Sequence, residues 1–445
     1  MALFGTNGVR GIANVELTTE MAMGLAKSFG TFRPGTIALG RDTRESGEML
    51  KAAAISGLLS TGCRVVDLGI APIPAVQYYV KRCGIDGAIM VTASHNPPEY
   101  NGIKGIASDG TEYSHEDEAV VERIYNSHEF ARAPWDGTGG LSTADPKPMY
   151  VDGIISKVDA GAIKNKMFKV VVDPGCGAAS LTTPFLLRKL GCKVLTLNAQ
   201  VDGTFPGRNP EPTGNEINDL KAAVVAAGAD LGVAHDCDAD RAVFVDEKGR
   251  FVNEDVLLAI MTKHMLEKHP GGTIVTPVSS SSLVEDIAKK YHAKVIWTMV
   301  GSIYVARTMK AAGAVFGGEG NGGLIFPEFQ YCRDGGMSAA KMLEMLAHTG
   351  KKLSAIVDGM PAYHSVKEKI KCKDKEAAMR LIEARVSDGK VDKTDGLKIY
   401  GPEGWVLIRM SGTEPIIRVF AESGTEAGAR KLADYGVGLV NESNK

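Results

Sequence analysis

The chain has 445 residues, more than one hydrophobic core can organise, and this length predicts roughly three or four domains. Its 53 acidic residues nearly cancel 51 basic ones and 44% of residues are hydrophobic, so no global field steers it to nucleic acid or a membrane surface. The seven cysteines, Cys63, Cys83, Cys176, Cys192, Cys237, Cys332 and Cys372, form no C-x-x-C pair, which argues against a disulfide framework or zinc site and for a reducing compartment.

The opening MALFGTNGVRG lacks the apolar centre of a signal peptide, and no run nears bilayer-spanning length, so the expected location is the cytoplasm. Further on, one pattern recurs: an apolar strand, a polar small-residue turn, an amphipathic helix, then a second strand. The first copy is TIALG, RDTRESGEMLKAAAISGLLST and GCRVVDLG; the second is FKVVVD, PGCGAASLTTPFLLRKL and GCKVLTLN; the third is GTIVTPV, SSSSLVEDIAKKY and HAKVIWTMVG. Three related α/β units of the βαβ type are expected, with helix starts at Ser46 and in the Ser279–Ser282 run. Residues 133–149, rich in Gly, Pro and small polar residues, read as a linker. After GMPAYHSVKEKIKC the order becomes helix (KEAAMRLIEARV), three strands (GLKIYG, GWVLIRM, IIRVFAES) and a final helix, which is α+β. The expected division is 1–150, 151–250, 251–363 and a smaller 364–445, with a small-ligand site where the units meet.

Five segments carry candidate chemistry. GTNGVRG sets Arg10 among glycines as a candidate anion contact. VTASHNPPEYNGIK, at 91–104, crowds Ser94, His95 and Asn96 onto a segment stiffened by two prolines. A plain turn explains it, and so does a serine held at a fixed angle to react. In AHDCDADRAVFVDEKG, Asp236, Asp238 and Asp240 alternate, and three such carboxylates repel one another unless a cation lies among them. All-oxygen ligands suit Mg²⁺ or Ca²⁺. An EF-hand loop is the rival, but Arg241 stands where its sixth position needs Gly, and the flanks are strand-like. Arg241 itself can hold an anion shared with the metal, which hints at phosphate. GGEGNGG offers Glu319 and Asn321 to sugar hydroxyls and is not a P-loop, because no Lys-Ser/Thr follows. In RMSGTEPIIR, Ser411, Gly412 and Thr413 supply small-residue donors and Arg409 and Arg418 flank them; phosphate binding and an ordinary hairpin turn both fit.

Together these segments, in this order and over nearly the whole chain, resemble the α-D-phosphohexomutases, most closely their archaeal branch. The resemblance implies a heart-shaped, four-domain fold around a central cleft, with TASHNP as the catalytic serine loop and DCDADR as the magnesium loop. It likens GEGNGG to the sugar-recognition loop and RMSGTEPIIR to the phosphate-binding loop. It further implies that Ser94 carries a phosphoryl group and, with Asp236, Asp238 and Asp240, completes a Mg²⁺ site. The implied reaction interconverts hexose 1-phosphate and hexose 6-phosphate of glucosamine, mannose or glucose through a sugar bisphosphate, which also serves as activator. Arg10, Lys104, His95 and Arg241 would surround the transferring group, with Lys104 or His95 handling the proton. The chain departs from the family pattern at Cys237, usually Gly, at Asn321, often Ser, and at Gly323, often His. A sugar-phosphate phosphatase using the same serine, or a non-catalytic sugar-phosphate or Ca²⁺ binder, are the alternatives. A monomer or homodimer without nucleic-acid or membrane partners is expected.

Overall fold

The computed structural model describes residues 3–5, 8–386, 390–412 and 414–444. The first sheet contains β1 (Val9–Ile12), β2 (Thr36–Arg41), β3 (Arg64–Ile70), β4 (Gly87–Val91), β5 (Tyr100–Ala107) and β6 (Leu141–Thr143), in the order β1-β5-β4-β2-β3-β6. Residues along its central strands alternate between two cores, Ile37, Leu39 and Ile89 on one face and Ala38, Ala88 and Met90 on the other. A sheet covered by helices on both faces requires this pattern. The expected linker at 133–149 is only partly one, because β6 lies inside it and pairs in parallel with β3 from Val65↔Leu141 onward. The unpaired edge of β3 takes up this short segment despite its small-residue composition.

The second sheet contains β7 (Lys169–Asp173), β8 (Lys193–Thr196), β9 (Leu231–His235) and β10 (Ala242–Asp246), ordered β10-β9-β7-β8. The third contains β11 (Thr273–Pro277), β12 (Lys294–Thr298), β13 (Phe316–Gly318) and β14 (Leu324–Ile325), ordered β12-β11-β13-β14. All three sheets share one plan. An opening strand (β2, β7, β11) is flanked in parallel by the next strand (β3, β8, β12) and by a third (β4, β9, β13). The third strand then turns back into an antiparallel fourth (β5, β10, β14). The turns between third and fourth strands, at the carboxyl ends of parallel strands, hold the serine, aspartate and Glu319 segments respectively.

One apolar cluster runs without interruption from Val172 and Leu186 through Phe244 and Leu258 to Ile274 and Phe316, so the second and third units share a core. The helix Gly335–Thr349 is buried from Gly335 through Ala347 at its centre. The last unit is an antiparallel sheet of β15 (His364–Lys371), β16 (Lys390–Asp392), β17 (Leu397–Gly401), β18 (Gly404–Met410) and β19 (Ile416–Ser423), ordered β15-β19-β18-β17-β16. Val406, Ile408 and Val419 on one face join a core with Ala433 and Val440 of the helix Glu426–Ser443. Trp405 and Leu407 on the other face pack on Val278 of the third unit. No described helix is long and apolar enough to cross a membrane.

The expected side-chain caps at Ser46 and Ser282 do not form, although both residues stand at helix starts. Their own backbones are helical, at φ −72°, ψ −6° and φ −59°, ψ −18°, whereas a capping side chain needs extended backbone. Tertiary partners take the hydroxyls instead: Asn101 Nδ2 donates to Ser46 Oγ at 2.9 Å, and Trp405 Nε1 donates to Ser282 Oγ at 2.9 Å.

Candidate active site

Strand β9 delivers Asp236 directly after His235, and β10 begins at Ala242, so six residues make the return. Ala239 adopts φ +60°, which folds the loop tightly enough for an oxygen from each of Asp236, Asp238 and Asp240 to lie within 4.8 Å of the others. All three side chains are buried. Burial and mutual repulsion push the carboxyls of Asp236 and Asp240 above the usual range, Arg333 partly opposing the shift at Asp240. Asp238 moves the other way: burial would raise it, but Lys104, Arg333 and Arg10 together hold it below the usual range. Oδ1 of Asp238 and Oδ1 of Asp240 are buried and, among the described residues, have no hydrogen-bond partner. Orphaned, converging, all-oxygen donors fit a hard divalent cation.

The equivalent turn of the first unit brings Ser94 to this cluster. Ser94 Oγ donates to Asp236 Oδ2 at 2.8 Å, so the serine side chain is aimed at the carboxylates. Ser94 has φ +52°, a left-handed conformation that is uncommon for a residue with a Cβ. The strain is held in place by neighbours. Ser94 N donates to Thr92 Oγ1 at 2.9 Å, and Thr92 Oγ1 stands 2.6 Å from Asp42 Oδ2 and 3.2 Å from Asp238 Oδ2. The fully buried Arg44 donates to the carbonyl oxygens of Ser94, Asn96, Pro97 and Tyr100.

The cations named from sequence surround the cluster. Lys104 Nζ lies 3.2 Å from Asp238 Oδ2. Arg10 Nη1 donates to the Ala93 carbonyl at 3.0 Å and to Asn96 Oδ1 at 2.6 Å. Arg241 Nε stands 3.9 Å from Asp236 Oδ2 and 3.8 Å from Asp240 Oδ1. His95 is half-buried; Arg241, burial and Arg10 pull its pKa down to about 2, so its imidazole is neutral. Cys237, in contrast, turns away from the aspartates into a small apolar cluster with Cys176 and Phe205, and burial raises its thiol pKa. Its sulfur is 3.8 Å from Thr43 Oγ1 and is not one of the converging ligand atoms.

The third turn docks on the second through backbone, Ala242 N donating to Gly322 O at 3.0 Å. Gly322 is at φ +82°, and a Cβ there would meet Ala242 O at 2.7 Å, so glycine is required for this approach. Glu319 is buried and held by Arg333, Nη1 to Oε2 being 3.3 Å. Asn321 Oδ1 accepts from Gly323 N at 3.0 Å.

The last candidate segment connects β18 to β19, where Arg409 and Arg418 are cross-strand partners. It is a hairpin turn held by further local hydrogen bonds. Lys375 Nζ donates to the carbonyls of Ser411 at 2.7 Å and Glu414 at 3.2 Å, and Ser411 Oγ accepts from Glu414 N at 3.2 Å. Gly412 lies in this turn, and Thr413, like Thr6 and Asn7, falls outside the described residues. The described bonds of the two arginines run to Asp395 and Glu414, not to the serine–aspartate cluster; Asp395 Oδ2 also accepts from Val300 N of the third unit at 3.0 Å.

Sequence reasoning missed Arg44, Thr92, Arg333 and Lys375. The paired charges of RDTR were a local hint to the first, and Thr92 lies within the quoted TASHNP stretch; Arg333 and Lys375 carry no local signal.

Comparison with known proteins matches the chain in four successive parts. The family descriptions "Phosphoglucomutase/phosphomannomutase, alpha/beta/alpha domain I", "domain II" and "domain III" match residues 1–132, 148–249 and 253–363, and the C-terminal domain description matches 368–436. A phosphoglucomutase/phosphomannomutase of Thermococcus kodakarensis is 48% identical over 455 residues, covering 100% of this chain and 99% of the relative. A phosphoglucosamine/phosphogalactosamine mutase of Sulfurisphaera tokodaii is 42% identical, covering 97% of each. The crystal structure of a phosphoglucomutase/phosphomannomutase family protein from Burkholderia thailandensis superposes with a TM-score of 0.90 at 26% identity, covering 99% of this chain and 97% of that one.

Proposed function

Because the chain belongs to the phosphoglucomutase/phosphomannomutase family, we propose that it interconverts hexose 1-phosphates and hexose 6-phosphates by two phosphoryl transfers through Ser94. The observation that carries this reading is Ser94 Oγ at 2.8 Å from Asp236 Oδ2, beside two further converging carboxylates. Asp236, Asp238, Asp240 and an oxygen on Ser94 would hold Mg²⁺, the hard cation their oxygens suit. When bound, Mg²⁺ draws negative charge from the phosphoryl oxygens.

The chain's own residues then position and neutralise, which is most of what phosphoryl transfer asks of a protein. A free hydroxyl of the hexose phosphate attacks phospho-Ser94; the new P–O bond forms as the P–Oγ bond breaks. The hydroxyl proton passes by way of Lys104 or His95 to Ser94 Oγ. Arg10 and Arg241 flank the transferring group, and Glu319 and Asn321 grip sugar hydroxyls. The bisphosphate turns over in the site, and its other phosphate returns to Ser94. Arg409, Ser411, Gly412, Thr413 and Arg418 anchor whichever phosphate is distal. We assign the working units as 1–150, 151–250, 251–363 and 364–445, and place the protein in the cytoplasm.

Intact-mass analysis is expected to find a phosphoryl group that Ser94→Ala loses. Initial rates with the 1- and 6-phosphates of glucose, mannose and glucosamine, with trace sugar bisphosphate, identify the sugar. Full turnover by Ser94→Ala overturns the reading, and steady phosphate release without isomer formation replaces it with a phosphatase.

A further inference from the structure

Arg333 stands between two carboxylates that belong to different units. Its Nη2 bonds Asp240 Oδ2 on the aspartate loop, and its Nη1 lies 3.3 Å from Glu319 Oε2 on the third turn. The side chain is 7% exposed, so neither ion pair is a solvated surface contact. Its mount is rigid. The next residue, Asp334, caps the central helix, donates its backbone N–H to Leu324 O at 3.0 Å, and accepts from Tyr150 and Gln330. The space it fills is reserved: a Cβ at Gly323 would lie 2.4 Å from Arg333 Cδ and 3.2 Å from Cγ. Gly323 and Arg333 are therefore complementary, and a side chain at 323 would drive the guanidinium off at least one carboxylate.

Both carboxylates have other work under the proposed function, on which this inference rests for its sugar end. Asp240 is a candidate cation ligand whose Oδ1 has no hydrogen-bond partner among the described residues. Glu319 is the candidate grip on sugar hydroxyls. A planar, forked guanidinium can satisfy both at once, as an ammonium cannot. A divalent cation arriving at Asp240 weakens the hold of Nη2 and leaves Arg333 wholly to Glu319, which is thereby fixed for the sugar. We infer that Arg333 is a positioning residue that couples cation binding at the aspartate loop to sugar binding at Glu319. Such coupling is reciprocal: the factor by which the cation tightens the sugar equals the factor by which the sugar tightens the cation.

The test is calorimetric and needs no turnover. Mg²⁺ is titrated into the full chain, R333Q and R333K, with and without the 1-deoxy analogue of whichever hexose 6-phosphate is turned over fastest. In the unmodified protein each ligand is expected to tighten the other by about 5- to 150-fold, the usual range of coupling between sites. R333Q is expected to bind Mg²⁺ alone more than about fivefold tighter, since a positive charge no longer touches Asp240, while the coupling factor falls toward one. R333K keeps the charge but not the fork, so Mg²⁺ affinity is expected within about twofold of the original while coupling is lost. Coupling preserved in R333Q, or lowered thermal stability as the sole change, overturns the inference and leaves the mutase reading intact. An unmodified protein that binds neither ligand removes that reading, and this inference with it.

Discussion

Arg44 Nη2 donates to the Ser94 carbonyl at 2.8 Å, from a side chain with no solvent exposure. Its other donors serve Asn96, Pro97, Tyr100 and Asp42, so one guanidinium holds the whole serine turn from beneath. Arg44→Met leaves Asp42 and several carbonyls buried without this partner and is expected to cost about 3–5 kcal/mol, read as a fall in the thermal unfolding midpoint. Arg44→Lys keeps the charge but loses the fork. It is expected to lower kcat by about 100-fold with KM little changed, because a misplaced reacting group costs rate before it costs affinity. A kcat unchanged in Arg44→Lys would show that the turn holds its own shape.

The left-handed backbone of Ser94 separates two otherwise similar inactive variants. At φ +52° a residue with a Cβ is strained by about 1–2 kcal/mol, and glycine is not. Ser94→Gly is therefore expected to exceed Ser94→Ala in stability by about 1 kcal/mol, both lacking the phosphoryl group. Urea midpoints measure the difference; the reverse order would mean that the serine conformation is unstrained.

Three carboxylates buried together repel until a cation joins them. Mg²⁺ at about 100 times its dissociation constant is expected to stabilise the protein by about 2.7 kcal/mol, and a chelator to reverse the effect. Asp238→Asn is expected to abolish the thermal shift. A shift of undiminished size in that variant would place the cation elsewhere.

Glu344 offers a pH test remote from the site. It is buried in the central helix and meets His264 at 3.2 Å, Lys268 at 2.6 Å and Lys341 at 3.1 Å. Burial alone would raise its carboxyl, but the bonds from His264 and Lys268 and the charge of Lys341 hold it well below the ordinary 4.5. Because the folded group titrates below the unfolded one, its stabilisation is full above pH 4.5 and is lost as the pH falls through the folded value. Glu344→Gln is expected to be less stable than the unmodified protein by about 3 kcal/mol at pH 7, and the gap to close below pH 4.5. Denaturant midpoints at pH 7, 5 and 3.5 follow it; a gap independent of pH would assign the loss to packing.

Much was legible locally. The repeated strand–helix–strand stretches have the side-chain periods of their elements and return as β2–β3, β7–β8 and β11–β12 with their intervening helices. Asp236, Asp238 and Asp240 announce a cation because three like charges within five successive residues cannot diverge far in so short a loop. Ser94, Glu319 and Ser411 were recognisable as polar residues in turns, where side chains need not serve a core.

What the chain order could not convey is which turns meet. The three working turns occupy one equivalent place in three sheets, between the third strand and its antiparallel successor, and only the packing of the units sets Ser94 against Asp236 across 142 positions. The same packing gave Glu319 and Asp240 a shared guanidinium, pointed Cys237 away from the carboxylates, and took the hydroxyls of Ser46 and Ser282 for tertiary bonds. Periodicity and turn chemistry act over a few residues and can be read along the chain. Charge pairing and steric fit act through space, so their partners exist only once the units have closed on one another.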